Sequence, residues 1–378
     1  MSFCQDRRRS TFLRTSFPRR STVSAPAQFV YSTCREGSER LLKAEVARRH
    51  EGLLTPAFMR PQFVTWKATR ILPPGFELGC VFGRASGTSV GLFPDEKALV
   101  QKLGEIADGR PYHLHVFPRD CHEDGVSSLQ WADMDALRAR LIGHAREAGL
   151  SAPTESRPNR GDLIFDVIVG DKATEPLFLG RHLHSASHHP LAGGLPRLEL
   201  PLEAPSRAWL KMEQALAWSG LDGKQSLQGQ VVLELGSAPG GASYSLLQHG
   251  AQVYGVDTGV MDPDVLCFHD ATTGARFQHL RMAVGTLAPH HLPPEVDILV
   301  SDMNLAPGVV IPYLENLCRR HRPALLILTM KLTEERLESK VGEILGSLRR
   351  FVPTPLRATQ LPANRREVCV VAGGLGAV

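Results

Sequence analysis

The chain has 378 residues, of which 43% are hydrophobic and 22% are charged, and its formal net charge is +4. This composition predicts a soluble globular protein with room for two or three domains. No apolar run approaches the roughly 20 residues needed to span a bilayer, so we expect no membrane contact, and the mild positive charge permits an anionic partner without identifying one.

Residues 1–26 differ from the rest of the chain because they are rich in arginine and serine, and Asp6 is the only acid before Glu36. One interpretation is an organellar transit peptide, which has this composition. The alternative is a disordered basic extension that contacts RNA non-specifically. We favour the extension because no clear amphipathic helix emerges. The seven cysteines are scattered and form no C-x-x-C pair, so we predict reduced thiols in a cytoplasmic protein, without disulfides or zinc.

Residues 27–192 have mixed α and β character and form the first predicted domain. Single predicted strands are "AQFVYSTCR", "FVTWKAT", "LGCVFGRASG" and "YHLHVFP". Predicted helices are "EGSERLLKAEVARRH" and "MDALRARLIGHAREAGL", the second with its C-cap near Gly149. A hairpin is predicted from "DLIFDVIVGD" and "EPLFLGRHL". Proline and glycine then indicate a linker at residues 193–205.

Strands and helices alternate regularly in residues 206–378, which form the second predicted domain. Predicted strands are "QVVLELG", "AQVYGVD", "VDILVSDM" and "ALLILTMKL". Predicted helices are "SRAWLKMEQALAWSG", "ASYSLLQHG", "PYLENLCRRHR" and "TEERLESKVGEILGSLRRF". This alternation predicts a parallel, doubly wound sheet. A closing hairpin, "LRATQL" and "REVCVVAGG", would place the last strand antiparallel at or near a sheet edge.

A glycine-rich turn, "GSAPGG", follows the first strand of this domain. Ligands of doubly wound sheets bind at the carboxyl ends of strands, where glycines let the backbone approach them. The order G-x-x-P-G-G departs from the dinucleotide pattern and lacks the lysine of a P-loop. Asp257 ends the next strand, where an acid can accept hydrogen bonds from both ribose hydroxyls. This combination favours a nucleoside without a pyrophosphate, commonly S-adenosylmethionine, over a structural turn in a ligand-free fold.

Four charged side chains are predicted to meet at the same sheet edge. Asp302 and Lys331 end neighbouring strands, Glu367 opens the last strand, and Lys211 lies on the helix before the first strand. Lys331 follows the apolar run "LLILTM", although lysine is seldom buried unless paired. Burial and a neighbouring Lys211 would both lower the pKa of Lys331, so we expect it to lose its proton near neutral pH. Asp302 and Glu367 would oppose that effect.

The segments "APSRAWLKMEQA", "LELGSAPGG", "VYGVD", "VSDMN", "LTMKL" and "RREVCVV" together resemble the FtsJ-like ribose 2′-O-methyltransferases. The resemblance runs from about Gly194 to Val371 and implies a Rossmann-like class I methyltransferase sheet with an antiparallel last strand. "GLPRLELPLEAPSR" is typical of the branch that methylates a cytidine in the peptidyl-transferase region of large-subunit ribosomal RNA. That branch has an N-terminal α+β RNA-binding domain of the THUMP type, which residues 27–192 could supply.

The resemblance implies a catalytic tetrad of Lys211, Asp302, Lys331 and Glu367, with Lys331 as the proton acceptor. Chemistry alone accepts either lysine, or a pair that titrates jointly. The implied cofactor is S-adenosyl-L-methionine, without a metal. Its implied contacts are Ser206, Gly236, Ala238, Pro239, Gly240, Gly241, Asp257, Ala283 and Asp302. The implied partner is ribosomal RNA, either naked or in an assembling subunit, and we predict a monomer.

Ala283 marks a departure from the family, which has an acid after the third strand to hold the adenine amino group. Backbone groups of residues 282–284 could substitute at some cost in affinity. Asp270 is the nearest other acid, but it comes early in the chain.

Two further groups of side chains have open interpretations. "GRHLHSASHHP" carries His182, His184, His188 and His189, for which a loop that stacks on RNA bases is favoured over a metal site. Arginines at predicted helix C-termini either lie on a solvated face or contact phosphates; they are Arg319, Arg320, Arg322, Arg349 and Arg350. Arg365 and Arg366 precede Glu367, which makes contact with substrate RNA more plausible there.

The leading hypothesis is therefore an S-adenosylmethionine-dependent 2′-O-methyltransferase acting on large-subunit ribosomal RNA. An alternative keeps the chemistry but changes the substrate to a transfer RNA or an mRNA cap. A third is a non-catalytic RNA-binding ribosome-assembly factor on the same fold. The four intact tetrad residue types favour an enzyme over the third hypothesis.

Overall fold

The computed structural model describes residues 28–121, 125–172, 174–332 and 339–375. Their strands form a seven-stranded and an eight-stranded sheet. The first sheet has the order β2-β3-β1-β4-β7-β6-β5, in which only β5 and β6 pair in parallel. Its strands are β1 (Phe29–Thr33), β2 (Leu54–Arg60), β3 (Phe63–Ala68), β4 (Ser86–Phe93), β5 (Tyr112–Pro118), β6 (Leu163–Val169) and β7 (Leu177–Leu183).

Three helices accompany the first sheet: α1 (Glu39–Arg49), α2 (Glu96–Ala107) and α3 (Ser128–Glu147). α3 begins with a capping box, in which the Ser127 hydroxyl and the Gln130 side chain accept each other's backbone N–H groups. The strands β1, β3, β5, β6 and β7 and the helices α1 and α3 confirm the predicted elements. β2 and α2 were not predicted.

The strand predicted at "LGCVFGRASG" is wrong, since β4 begins only at Ser86. Residues 78–83 before it belong to no strand, and Leu78, Val81 and Phe82 are buried in the core. Its backbone N–H groups at Val81 and Phe82 donate to the Glu45 carboxylate of α1 at 2.9 and 3.1 Å. A helix side chain therefore satisfies the buried backbone that a neighbouring strand would otherwise satisfy.

The second sheet has the order β10-β11-β9-β8-β12-β13-β15-β14. Its strands are β8 (Val231–Leu235), β9 (Gln252–Val256), β10 (His269–Asp270), β11 (Ala275–Leu280), β12 (Ile298–Ser301), β13 (Leu325–Lys331), β14 (Leu356–Thr359) and β15 (Glu367–Gly373). The five central strands from β11 to β13 are parallel, whereas β15 runs antiparallel between β13 and the edge strand β14. Both the parallel sheet and the antiparallel last strand near an edge are thereby confirmed.

Helices cover both faces of the second sheet: α4 (Ala208–Ser219), α5 (Gly241–Gln248), α6 (Pro263–Leu266), α7 (Pro307–His321) and α8 (Val341–Leu348). Leu233 and Leu326 pack in one cluster with α7 and α8, and Val232 and Ile327 pack in another with α4 and α5. The apolar strands are thus buried on two sides, as their unbroken hydrophobic runs require. Of the helix predicted over residues 333–351, residues 333–338 lie outside the described residues.

The two sheets are joined by a shared apolar cluster that includes α1 and the end of β13. Polar contacts cross the same junction. The Ser38 hydroxyl donates to Gln360 Oε1 at 2.7 Å, and the Gln360 backbone N–H donates to the Val81 carbonyl at 2.8 Å. These contacts place the start of α1 beside the second sheet. Among the described residues, no helix has both the length and the apolar character needed to cross a membrane.

Candidate active site

Four charged side chains meet at the carboxyl edge of the second sheet, and the sheet topology explains why. Asp302 follows β12, and Lys331 is the last residue of the parallel neighbour β13. Glu367 opens antiparallel β15, where the register sets it directly opposite Lys331. Residues directly opposite on antiparallel strands have Cβ atoms about 5 Å apart, so their side chains must meet. Lys211 reaches the same place from α4.

The four side chains form a closed ring in which positive and negative groups alternate. Lys331 Nζ lies 2.9 Å from Asp302 Oδ1 and 2.6 Å from Glu367 Oε2. Lys211 Nζ lies 2.7 Å from Glu367 Oε1 and 3.4 Å from Asp302 Oδ2. The side chains are at most 19% exposed. Each buried charge thus has two partners of opposite sign, which offsets the cost of its desolvation.

The electrostatics of this ring overturn the expectation for Lys331. Burial acts to lower the pKa of Lys331, but the carboxylates of Asp302 and Glu367 outweigh it and hold that pKa above its ordinary value. Burial likewise acts to raise the pKa of Glu367, but Lys211 and Lys331 outweigh it, so that pKa is lowered. In the protein alone Lys331 is therefore an ammonium at neutral pH, because two adjacent carboxylates act against one adjacent lysine.

The predicted cofactor residues of the glycine turn lie between β8 and α5, at the same edge as the ring. Gly236 has φ +82°, and a Cβ there would lie 3.0 Å from the backbone of Met303, next to Asp302. A Cβ on Gly241 would lie 2.3 Å from Ser206 Oγ. Only glycine fits at either position. The turn, Ser206 and Asp302 are therefore packed together, and the remaining turn residues are Ala238, Pro239 and Gly240.

Asp257 follows β9 and is fixed beside this turn. Its Oδ2 accepts the backbone N–H of Ala238 at 3.1 Å, and its Oδ1 accepts that of Gly259 at 2.7 Å. Each carboxylate oxygen retains accepting capacity. A carboxylate held at the end of the second strand is the arrangement that a nucleoside ribose requires.

Neither sequence-based candidate for adenine recognition provides an acid at this edge. Ala283 is exposed and precedes a short 3₁₀ turn, where its carbonyl accepts the Thr286 N–H at 2.9 Å. Asp270 pairs with Ala275, the first residue of β11, and therefore lies at the opposite edge of the sheet. Its carboxylate there closes a turn by accepting the Thr272 N–H at 2.8 Å. Asp270 is thus excluded as an adenine contact, and the backbone of residues 282–284 stays a prediction.

Sequence reasoning missed three polar residues that support the site. Glu234, within β8, accepts a hydrogen bond from the Ser243 hydroxyl of α5, and burial raises the pKa of Glu234 to about 8. Gln214 of α4 accepts the Ala363 N–H at 2.8 Å, which ties the helix of Lys211 to the loop before Glu367. A signal was available for two of the three, since Glu234 interrupts an apolar strand and Gln214 lies one helical turn after Lys211.

The predicted role of the histidine-rich loop, stacking on RNA bases, is wrong. His184, His188 and His189 are less than 10% exposed, and burial lowers their pKa values to about 4, 3 and 3. His182 Nδ1 instead lies 2.9 Å from Oδ2 of the fully buried Asp166. In the described parts of the chain, no three acidic, histidine or cysteine side chains are placed to hold a metal ion. His184, His188 and His189 are therefore packed as neutral side chains beside the first sheet.

The helix-terminal arginines lie away from the ring. Arg319, near the end of α7, precedes the amino end of β13, which is the opposite edge of the sheet, and it pairs with Glu315 at 2.6 Å. Arg349 is the C-cap residue after α8, and the next strand, β14, begins beside Ala372 at that same opposite edge. These positions support the solvated-face interpretation for both residues.

Four features together define a Rossmann-like methyltransferase domain: the order of the second sheet, the glycine turn after β8, the acid after β9, and the antiparallel strand β15 beside β13. Residues 204–342 match the sequence profile of the family described as "FtsJ-like methyltransferase". This part of the chain is therefore an FtsJ-like methyltransferase domain.

The chain is similar to curated proteins named "Ribosomal RNA large subunit methyltransferase M". It is 30% identical over 183 residues to that of Halorhodospira halophila, and 33% identical over 189 residues to that of Laribacter hongkongensis. Each alignment covers 47% of this chain and 50% of the relative, so the chain spans about half the length of the curated relatives it matches. Among solved structures, TrmN from Thermus thermophilus is 16% identical, with 92% of this chain and 99% of that chain covered and a TM-score of 0.32.

Proposed function

We propose that the chain transfers a methyl group from S-adenosyl-L-methionine to a ribose 2′-hydroxyl of RNA. The observation that carries the proposal is the closed ring of Lys211, Asp302, Lys331 and Glu367 beside the glycine turn and Asp257. The similarity to ribosomal RNA methyltransferases favours a cytidine of large-subunit ribosomal RNA as the target. Residues 27–192 would be a THUMP-type RNA-binding domain, joined by residues 193–205 to the catalytic domain of residues 206–378.

The residues at the carboxyl edge fit the cofactor. Gly236 and Gly241 bring the turn backbone close to the ring, and Asp257 presents a fixed carboxylate suited to ribose hydroxyls. When bound, S-adenosyl-L-methionine supplies a methyl group on a positively charged sulfur, which keeps the bonding electron pair as the methyl leaves. Ser206 and Asp302 would border the methionine portion.

We assign Lys331 the role of general base, which accepts the proton of the 2′-hydroxyl. A 2′-hydroxyl becomes a good nucleophile only if a base takes its proton, and a lysine at the end of β13 can do so only after losing its own. A cation brought near Asp302 weakens that carboxylate's hold on Lys331 and so favours deprotonation. The new oxygen–carbon bond then forms as the 2′-proton passes to Lys331 Nζ. Lys211 and Glu367 hold Lys331 in position.

The test is methyl transfer followed by mapping of the product. Labelled S-adenosyl-L-methionine is incubated with the protein and either naked large-subunit ribosomal RNA or assembling subunits from cells that lack the enzyme. Label at one cytidine 2′-oxygen is the expected result. Label on transfer RNA or capped RNA alone would redirect the substrate, and no transfer to any RNA, with RNA binding intact, would favour the non-catalytic assembly factor.

A further inference from the structure

The β14–β15 loop, residues 360–366, leads directly into Glu367 of the ring. Its first five residues are buried, and they include the polar side chains of Gln360 and Asn364, which are 4% and 1% exposed. Neither residue belongs to the ring or to the glycine turn. Buried polar side chains are normally hydrogen-bonded, so their partners show what holds the loop in place.

Gln360 uses both ends of its side-chain amide to join the loop to the first sheet's helix α1. Its Oε1 accepts the Ser38 hydroxyl at 2.7 Å, and its Nε2 donates to the Arg365 carbonyl at 2.8 Å. Its backbone N–H donates to the Val81 carbonyl at 2.8 Å. A carbonyl can only accept, which fixes the NH₂ end toward Arg365 and the oxygen toward Ser38. Gln360 therefore ties the far end of the loop to the junction between the sheets.

Ser38 contributes to this junction instead of capping its own helix. It stands at the N-cap of α1, where a serine side chain ordinarily accepts a backbone N–H of the first turn. Among the described residues, no such bond to the Ser38 side chain is formed. Its hydroxyl is buried and donates across the junction to Gln360.

Asn364 connects the loop to the ring. Its Oδ1 accepts the Leu361 N–H at 3.0 Å, which closes the loop on itself. Its Nδ2 donates to Glu367 Oε1 at 3.5 Å, the oxygen that lies 2.7 Å from Lys211 Nζ. A neutral donor beside a carboxylate favours the charged form and restricts where that carboxylate can lie.

These contacts lie in series between α1 and the general base. Ser38 holds Gln360, the loop carries Asn364, and Glu367 Oε2 lies 2.6 Å from Lys331 Nζ. Because the attraction between two charges falls as their separation grows, a displaced Glu367 carboxylate holds the proton on Lys331 less strongly.

We propose that Gln360 and Asn364 are positioning residues that hold Glu367 against Lys331, and that through Ser38 they make the ring depend on how the first sheet packs against the second. The inference rests on the proposed function, because it takes Lys331 as the general base. It gives the junction between the sheets a role in catalysis as well as in stability.

The experiment measures how fast acetic anhydride acetylates Lys331, at one fixed pH below its pKa, by mass spectrometry with the exposed Lys97 as internal reference. Only the unprotonated amine reacts, so each unit by which the pKa falls raises the relative rate tenfold. Glu367→Gln sets the upper limit, roughly 10- to 10³-fold. Asn364→Leu should raise the rate about tenfold, and Ser38→Ala about threefold.

Ser226→Ala is the matched control. It also removes a hydroxyl that donates to a backbone carbonyl, that of Leu221, and Ser226 contacts His249 beside the amino ends of β8 and β9. The relative rate at Lys331 should not change in this variant, because the lost hydrogen bond lies toward the opposite sheet edge.

The decisive comparison repeats Asn364→Leu and Ser38→Ala in the Glu367→Gln background. There neither change should raise the rate at Lys331 further, because both act through the Glu367 carboxylate. General loosening of the protein would raise the rate equally in both backgrounds, and that result would overturn the proposal. So would a wild-type rate in Asn364→Leu or, if that variant does not fold, in Ser38→Ala.

The labelling needs neither RNA nor S-adenosyl-L-methionine, so it is independent of methyl transfer. Unchanged labelling in a protein that methylates RNA would refute the positioning role and leave the proposed function standing. The expected labelling in a protein that methylates no RNA would refute the proposed function and leave the control of Lys331 by the loop standing.

Discussion

The raised pKa of Lys331 can be tested by removing its neighbours one at a time, with opposite expected results. Glu367 Oε2 lies 2.6 Å from Lys331 Nζ. At an effective dielectric constant of about 20, that separation corresponds to roughly 6 kcal/mol of attraction. Solvent and relaxation reduce such values, and opposite charges this close shift a pKa by about one to three units. We expect Glu367→Gln to lower the pKa of Lys331 by that amount.

Lys211→Met should act in the other direction. Lys211 contacts both carboxylates of the ring, so its loss leaves them to interact with Lys331 alone and raises the pKa of Lys331 further. If Lys211 were instead the base, this variant would lose activity at every pH.

The assay is the pH profile of kcat/KM at low RNA concentration. For wild type, a base with a raised pKa is protonated across the neutral range, so the rate should rise about tenfold per pH unit. Glu367→Gln should reach its plateau at lower pH, even if its maximal rate falls, and Lys211→Met should keep rising. Profiles that do not move, or that move in the same direction in both variants, would refute the electrostatic reasoning; thermal unfolding checks that both variants are folded.

Further predictions concern the base, the cofactor and stability. Lys331→Ala should lower kcat roughly 10²- to 10⁴-fold while affinity for S-adenosyl-L-methionine measured by calorimetry stays nearly constant; wild-type turnover would exclude Lys331 as the base. Asp257→Ala should weaken that affinity roughly 10- to 100-fold through lost charged hydrogen bonds, whereas Asp270→Ala at the opposite edge should not, and equal losses would contradict the assignment. The pKa of Glu234 rises from 4.5 unfolded to about 8 folded, so its stabilising contribution is complete below pH 4.5 and is lost as pH rises through 8. Chemical denaturation should therefore show a fall of up to roughly 5 kcal/mol over that range that Glu234→Gln removes, and a parallel pH dependence in both proteins would refute it.

Local patterns in the sequence determined much of the second domain. Largely apolar runs predicted β8, β12 and β13, because a parallel strand covered by helices on two faces has no solvent-facing side. Because ligands and functional side chains gather at the carboxyl ends of parallel strands, the same pattern predicted Asp302, Lys331 and Glu367 at one edge. The glycine turn and Asp257 followed from the same rule.

The elements around the first sheet were harder to predict from the sequence, because their strands are stabilised by residues far away in the chain. Gly180 lies in β7, where a Cβ would collide with the Tyr31 ring of β1, and Tyr31 donates to Asp166 of β6. The buried backbone N–H groups of Val81 and Phe82 donate to Glu45 of α1 and not to a neighbouring strand. The apolar sequence of that segment therefore predicted a strand that the structure does not contain.

The sequence by itself determined which residue types stand at the ends of the strands, because hydrophobic period and turn chemistry are local properties of the chain. Only the tertiary structure decided their electrostatic state. The register that sets Glu367 opposite Lys331 puts a second carboxylate on that lysine, which reverses the sign of its expected pKa shift. Tertiary packing likewise buried His184, His188 and His189. Charge interactions depend on distances between segments far apart in sequence, and those distances exist only after the sheets have packed.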